Sequence, residues 1–452
     1  MDKIVGIFLA FMLGVFLTWT GVFPFDPWLR NGVLGLQAGL VTLHRELFGY
    51  NGDVWRTLPE DSEIALGVTK LDEDAVSPGL TLITAGQTAY LIGHDGEARH
   101  SWSVDYQSLP RDAAGNAPGS ADDDMRLYFQ RAHALPNGDL LAIVNQTQSS
   151  PDGLAMIRLD RDSNPVWVAH GPFHHDFDVD ESGNVFVLDQ LVRQAPPKNI
   201  PRATGPLLDD GIAVIGPDGT LVHRVSIIDA FSNSPYAEMI NRHVAVNKIS
   251  WGDYLHANNV DVASEAIARR FDFLEPGQVL LSMREVDVIA VLDMTEETIV
   301  WAMRGSWSRQ HDPDFLPNGN LLIYDNRGDW NFGGKTRVIE VDPQTQEIVW
   351  QYPKASDEAV WSVIRGESEV LPNGNVLLNE FSQNRLLEVT RAGEIAWEYR
   401  CPYRHAREST HICQTMSARR YARSDFDFAF SNPGNALETN TQFSHHIEEV
   451  TR

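Results

Sequence analysis

Leu135-Pro136-Asn137-Gly138, Leu316-Pro317-Asn318-Gly319 and Leu371-Pro372-Asn373-Gly374 are three copies of one phrase. Each runs into a polar residue and then an apolar stretch: Asp139-Leu140-Leu141, Asn320-Leu321-Leu322 and Asn375-Val376-Leu377. A Pro-Asn-Gly turn that opens into a strand is a hairpin signal. Its recurrence outranks any single local reading, because repeats set the architecture. Asp180-Glu181-Ser182-Gly183-Asn184 and Leu274-Glu275-Pro276-Gly277-Gln278 are weaker copies.

A second hairpin alternates with the first. It is an apolar strand, a turn, and a strand ending in Trp: Asp95-Gly96 to Trp102, Asp160 to Trp167, Asp293 to Trp301, Asp342 to Trp350, and Arg391-Ala392-Gly393 to Trp397. Gly216-Pro217-Asp218-Gly219 to His223 keeps the turn and loses the Trp. One hairpin of each kind makes a four-stranded unit, and repeated four-stranded sheets are the mark of a β-propeller. The expectation is an all-β, six-bladed β-propeller over residues 75–400, with the Trp side chains packed between blades.

The flanks read differently. Ile4 to Phe23 carries no charge, and about twenty apolar residues span a bilayer as a helix. Trp19, Phe23, Phe25 and Trp28 suit an interfacial belt. Residues 1–25 are therefore expected to be an uncleaved transmembrane anchor. Residues 26–74 are expected to hold an amphipathic helix and a linker, from the spacing of Val33, Leu34, Leu36, Leu40, Val41, Leu43 and Leu47. That helix would lie near the membrane or pack on the main domain. Residues 401–452 form a C-terminal extension, read as a helix or a strap. This places the chain in the cytoplasmic membrane as a single-pass protein, with the propeller on the periplasmic side.

The net charge is −26, from 62 acidic and 36 basic residues. A nucleic-acid binder needs a basic footprint, so that class is excluded. The two cysteines, Cys401 and Cys413, are free to pair in an oxidising compartment or to stay as buried thiols. They lack zinc-site spacing.

The turns also act as a ruler. His175 lies eight residues before Gly183, and His311 eight before Gly319. His256 heads the matching strand His256-Ala257-Asn258-Asn259-Val260-Asp261 if an insertion precedes its turn. Gln130 and Gly366 hold the corresponding positions in two other units, and His133 is near but out of phase. Three consecutive blades would then each put one His at one level of the channel. The second strands end on that rim with Asn145, Asp189-Gln190, Arg284-Glu285, Asp325-Asn326-Arg327 and Asn379-Glu380. Convergent polar groups at a channel mouth are a site hypothesis. Three chemistries fit: a neutral His as nucleophile with Arg and Asn holding an oxyanion, three His on a transition metal, or anion binding alone. Metal is the least favoured, and no cofactor is expected.

His256-Ala257-Asn258-Asn259-Val260-Asp261, Gln310-His311 through Tyr324-Asp325-Asn326-Arg327, and Arg337-Val338-Ile339-Glu340-Val341 with Ile348-Val349-Trp350-Gln351-Tyr352 resemble the bacterial arylsulfate sulfotransferase family. The resemblance spans about residues 120–400. It implies a six-bladed periplasmic propeller that moves a sulfuryl group from an aryl sulfate to a phenolic acceptor through a transient sulfohistidine. His256, His311 and His175 would then be the catalytic candidates. Arg327, Arg284, Asn258 and Asn326 would bind the small-molecule aryl sulfate or phenol. Two rivals stay open: a non-catalytic, membrane-anchored propeller that serves as a platform for a protein partner, and a quinone-dependent dehydrogenase.

Overall fold

Each Leu-Pro-Asn-Gly turn closes in the same way. The Gly138 N–H donates to the Leu135 carbonyl (2.9 Å), and the Leu135 N–H to the Asp139 carbonyl (2.7 Å). Asn137 Oδ1 accepts from the Asp139 N–H (3.2 Å). Asn318 and Asn373 cap Asn320 and Asn375 identically. Gly138 sits at φ 92°, a conformation that glycine adopts at little cost. This local chemistry explains why the phrase recurs.

The computed structural model describes residues 54–58, 62–105, 109–110, 124–147, 153–203, 206–242, 252–326, 335–354, 360–362 and 364–430. The chain divides into two units. The smaller, residues 1–52 with 246–249, lies outside the described residues, and the larger holds all that follows. The expected anchor at 1–25 and the amphipathic helix fall in that outside part. Among the described residues no helix is long and apolar enough to cross a membrane.

Six antiparallel sheets form the six blades. The second is Leu127–Ala134, Leu140–Gln146, Gly153–Leu159 and Pro165–His170; the third is Phe173–Val179, Val185–Arg193, Leu207–Ile215 and Leu221–Ser226. The fourth is Ala257–Val262, Val279–Met283, Val288–Asp293 and Thr298–Met303; the fifth is His311–Phe315, Leu321–Asp325, Arg337–Val341 and Ile348–Tyr352. The sixth, Ser368–Val370, Val376–Glu380, Arg385–Val389 and Ile395–Arg400, gains Gly67–Leu71 on its outer edge. The first is closed from both ends of the chain: Ala418–Tyr421 supplies its innermost strand, beside Leu80–Ala85, Thr88–Ile92 and Ala98–Ser103. Two propeller strands, Gly67–Leu71 and Ala418–Tyr421, thus come from outside residues 75–400. Trp55–Thr57 pairs with His411–Cys413, and Cys401 and Cys413 form a disulfide.

A four-stranded sheet is apolar on both faces here and cannot bury either one alone. The buried apolar residues fall into six clusters, one per interface between neighbouring blades. The tryptophans fasten these interfaces. Trp102 Nε1 donates to the Gly138 carbonyl (2.8 Å), Trp167 to Pro217 (3.0 Å), Trp350 to Arg391 (3.0 Å) and Trp397 to His94 (2.9 Å), each a carbonyl in a turn of the next blade. Where the Trp is missing, His223 reaches Glu297 of the next blade instead (3.5 Å).

Candidate functional site

The first strand of each blade faces the central axis, so its inner N–H groups have no ladder partner. In the fourth, fifth, sixth and first blades, carboxylates from the preceding blade take their place. Asp176 and Asp178 accept from Val260 and Val262 N–H (2.9 Å each), Asp261 from Phe315 (2.9 Å), Asp312 from Ser368 (2.6 Å), and Glu367 and Glu369 from Ala418 and Arg420 (2.9 Å each). The sequence signal is plain in hindsight: Asp176-x-Asp178, Asp312-x-Asp314 and Glu367-x-Glu369 place both acids on one face of a strand. Arg131 spans this channel, meeting Asp176 (2.9 Å), Asp312 (3.3 Å) and Glu367 (2.8 Å). Burial pushes the Asp176 carboxyl up to about 6 against the pull of Arg131, and burial lifts Asp261 and Glu367 to about 7.

The histidines lie one step toward the rim. The pairs Val179 with Val185, Phe315 with Leu321 and Val262 with Val279 flank the first turn of their blades. Counting four residues back from each gives His175, His311 and Asn258. His256 is therefore two residues out of phase, because the insertion before its turn leaves the strand register centred on Asn258. Register shifts fall between Phe173 and Phe177, Ala257 and Val260, and His311 and Asp314. Such bulges re-aim side chains. His175 and His256 adopt φ of 57° and 53°, uncommon for residues with a side chain. The two rings meet at 4.9 Å between centroids.

His311 is the most completely oriented of the three. Its Nδ1 faces Asn326 Oδ1 (2.8 Å) and the Arg309 carbonyl (3.1 Å). The Asn326 amide cannot be reversed, because its Nδ2 donates to the carbonyls of Ser362 (2.7 Å) and Arg365 (2.8 Å). Two acceptors at Nδ1 require the proton there, which leaves the lone pair on Nε2. Burial, then Arg284, hold His311 well below the ordinary imidazole value, against the Asn326 hydrogen bond. Burial holds His175 low as well, followed by the charges of His256, His174, His311 and Arg365. Both rings are neutral at neutral pH.

His256 Nδ1 contacts the Asp253 carboxylate. His174 Nδ1 meets His175 Nδ1 (2.7 Å), and its Nε2 lies 3.6 Å from Asp210. Burial and the neighbouring Asp253 push Asp210 well above the carboxylate range. Asp253, three residues before His256, and His174, adjacent to His175, are partners the sequence displays but that the turn ruler does not select.

Arg284 pairs with Glu285 (2.7 Å), and its backbone N–H donates to the His256 carbonyl (3.2 Å). Asn258 Nδ2 donates to the Gln310 carbonyl (3.0 Å), and its buried Oδ1 has no partner among the described residues. Arg327 lies outside the described residues. The remaining rim candidates turn away into their own blades: Asp189 binds Arg224 (2.7 Å), Asp325 binds Arg337 (2.7 Å), and Glu380 binds Arg385 (2.6 Å). His133 sits at the carboxylate level beside Arg419 (2.9 Å). Gly366 holds the histidine phase of the sixth blade at φ 100°, and a side chain there would overlap the Tyr324 ring. Among the described residues no group of three His, Cys, Asp or Glu is placed to hold a metal ion.

No curated protein matches the sequence. Among solved structures, the chain is similar to a protein of unknown function from Bacteroides caccae (11% identity, 75% of this chain and 99% of that one, TM-score 0.45). It is also similar to the WD40 β-propeller domain of Doa1 (11%, 83% and 98%, 0.38) and to virginiamycin B lyase from Staphylococcus aureus (10%, 60% and 69%, 0.32). Residues 131–402, more than half of the chain, match the family described as Arylsulfotransferase (ASST), and the protein belongs to that family.

Proposed function

We propose that the protein transfers a sulfuryl group from an aryl sulfate to a phenolic acceptor, with His311 as the nucleophile. The orientation of His311 carries this reading: Nδ1 is committed to Asn326, so the Nε2 lone pair of a neutral imidazole is available. In the first half-reaction Nε2 forms a bond to sulfur as the bond from sulfur to the aryl oxygen breaks. The electron pair leaves on the phenolate, and the ring becomes an N-sulfohistidine with Nδ1–H still on Asn326. In the second, a phenol loses its proton to a base, its oxygen attacks sulfur, and the N–S pair returns to Nε2.

His256, backed by Asp253, is the group placed to take that proton, since the carboxylate at Nδ1 fixes the tautomer and leaves Nε2 as the acceptor. Arg284 would face the sulfuryl oxygens, which need donors. The unsatisfied Asn258 Oδ1 suits a phenol hydroxyl, which donates. His175, neutral and hydrogen-bonded to His174, would bind rather than attack. The expected placement is exoplasmic, anchored through the N-terminal segment; the Cys401–Cys413 disulfide supports an oxidising compartment.

The test uses the full-length protein with 4-nitrophenyl sulfate as donor and phenol as acceptor. The expected result is release of 4-nitrophenol that depends on acceptor, with an acid-labile sulfo group trapped on the His311 peptide when acceptor is withheld. No turnover with any aryl sulfate would sink the reading.

A further inference from the structure

The fourth blade carries a second cluster on its rim, and it is made of arginines. Residues 284–287 turn the chain between the second and third strands of that blade. The turn is tied to the entry of the first strand, where the Glu285 N–H donates to the Leu255 carbonyl (3.0 Å). The Val286 carbonyl on this turn accepts from two guanidinium groups at once: Nη1 of Arg242 (3.1 Å) and Nε of Arg304 (3.0 Å). Arg304 directly follows the outermost strand, Thr298–Met303. Arg242 is fixed through its backbone, whose N–H donates to the Tyr254 hydroxyl (3.2 Å), which donates in turn to the Ile240 carbonyl (2.5 Å). One carbonyl oxygen has two lone pairs, so a single N–H from each fork saturates it.

Two like charges that meet on one neutral oxygen repel each other, and the fold does little to offset them. The rim arginines of the neighbouring blades each hold a carboxylate: Arg224 has Asp189 (2.7 Å) and Arg337 has Asp325 (2.7 Å). Arg304 makes no ion pair among the described residues, and its Nη2 is buried with no hydrogen-bond partner there. An unspent buried donor is costly, more so on a charged group. Asp287 is a loose counter-charge, with Oδ2 3.8 Å from Nη1 of Arg242. Its Oδ1 is taken by the Arg309 backbone N–H (2.9 Å) and the Ser308 hydroxyl (3.2 Å). Burial, then the charge of Arg242, hold Arg304 below the ordinary arginine value, although it stays charged at neutral pH. This cationic corner stands in a chain of net charge −26.

We propose that Arg242 and Arg304 form a second binding site, for a tetrahedral oxyanion: free phosphate or sulfate, or such a group carried on an organic molecule. Planar guanidinium forks match the paired oxygens of such an anion. Both forks keep N–H groups beyond the one that Val286 takes, and the ligand supplies the negative charge that the fold leaves out. The site does not depend on sulfuryl transfer at His311.

The test is calorimetric titration of the full-length protein with inorganic phosphate and with phenyl phosphate at low chloride. Saturable binding is expected. Equal affinities identify the free oxyanion as the ligand, and tighter phenyl phosphate identifies an oxyanion on an organic molecule. A charge-assisted hydrogen bond is worth roughly 10–100-fold in affinity. Arg304→Met and Arg242→Met should each weaken phosphate by that factor, and Arg304→Lys by less. Asp287→Asn, which removes the loose counter-charge and keeps an acceptor for Arg309, should tighten it. That gain separates a binding site from a merely structural pair, and it remains readable if the Met variants fold poorly. His311→Ala should leave phosphate affinity unchanged. No saturable binding overturns the site. So does binding that survives Arg304→Met and is lost in His311→Ala, because the anion then sits at the histidines.

Discussion

The histidine rim and the acidic channel are carried by the same strands, with His175 beside Asp176 and His311 beside Asp312. Both regions bury ionisable groups, and both move them away from their ordinary pKa. They differ in what their hydrogen-bonding capacity is used for. In the channel, the carboxylates cap backbone N–H groups of the next blade, and Arg131 ties three of them together. At the rim, the partners fix orientation and leave an atom over: Asn326 takes Nδ1 of His311 and frees Nε2. A perturbed buried group is therefore a candidate for chemistry only when a reactive atom is left unspent.

The largest effect should separate the two regions completely. His311→Ala removes the proposed nucleophile, and loss of a group of that kind costs on the order of 10⁴-fold in kcat. Its fold should remain, since the His311 side chain bonds only to Asn326 and the Arg309 carbonyl among the described partners. Steady-state kinetics with circular dichroism checks both halves. Arg131→Met should do the reverse. It strands three buried carboxylates, and breaking a buried ion pair from one side costs about 3–5 kcal/mol. Urea denaturation at pH 7 reads this directly. A fully stable Arg131→Met protein would mean that the channel acids are neutral without it.

A smaller effect probes the link between orientation and reactivity. Asn326→Ala deletes the acceptor that selects the Nδ1–H tautomer, while the Arg309 carbonyl remains at 3.1 Å. Loss of such an outer partner typically costs 10–100-fold, so about 10²-fold in kcat is expected with KM little changed. A rise in KM in place of the fall in kcat would put Asn326 in substrate contact and weaken the tautomer argument.

How much of this was visible beforehand depends on the range of the determining contacts. The turns are local chemistry: the Pro-Asn-Gly phrase and its two weaker copies mark five blades, and the alternating hairpins from Asp95-Gly96 to Arg391-Ala392-Gly393 count six. The phase of His175 and His311 follows, because both stand a fixed distance from a local turn. His256 is matched by its strand alone, since the bulge between Ala257 and Val260 and the insertion before Gly277 both disturb the count, and its ring still meets that of His175 at 4.9 Å. The Arg365 carbonyl that anchors the Asn326 amide was illegible, since its place depends on a left-handed backbone and on a residue 39 positions away. The channel acids were legible but unread, as their two-residue spacing is the strand period itself.

The smallest effect is the one that sets the two regions in opposition. Asp261 and Glu367 titrate near 7 in the folded protein, against about 4 when unfolded. Between those values the folded state holds more protons, so their contribution is full below about pH 4 and is lost as pH rises through 7. His311 and His175 are depressed below the usual imidazole value of about 6.5. Near and below that pH the unfolded state holds more protons, so their contribution grows as pH rises toward 6.5. Asp261→Asn cannot ionise but keeps an acceptor for the Phe315 N–H. Relative to wild type, it should become more stable as pH increases from 5 to 8. His311→Ala should become relatively less stable over pH 5 to 6.5. Each trend is bounded by about 1.4 kcal/mol per pH unit for one proton, within reach of denaturation midpoints measured in half-unit steps. Trends of the same sign would mean that the rim and the channel titrate as one cluster, and the division between oriented and spent groups would fall.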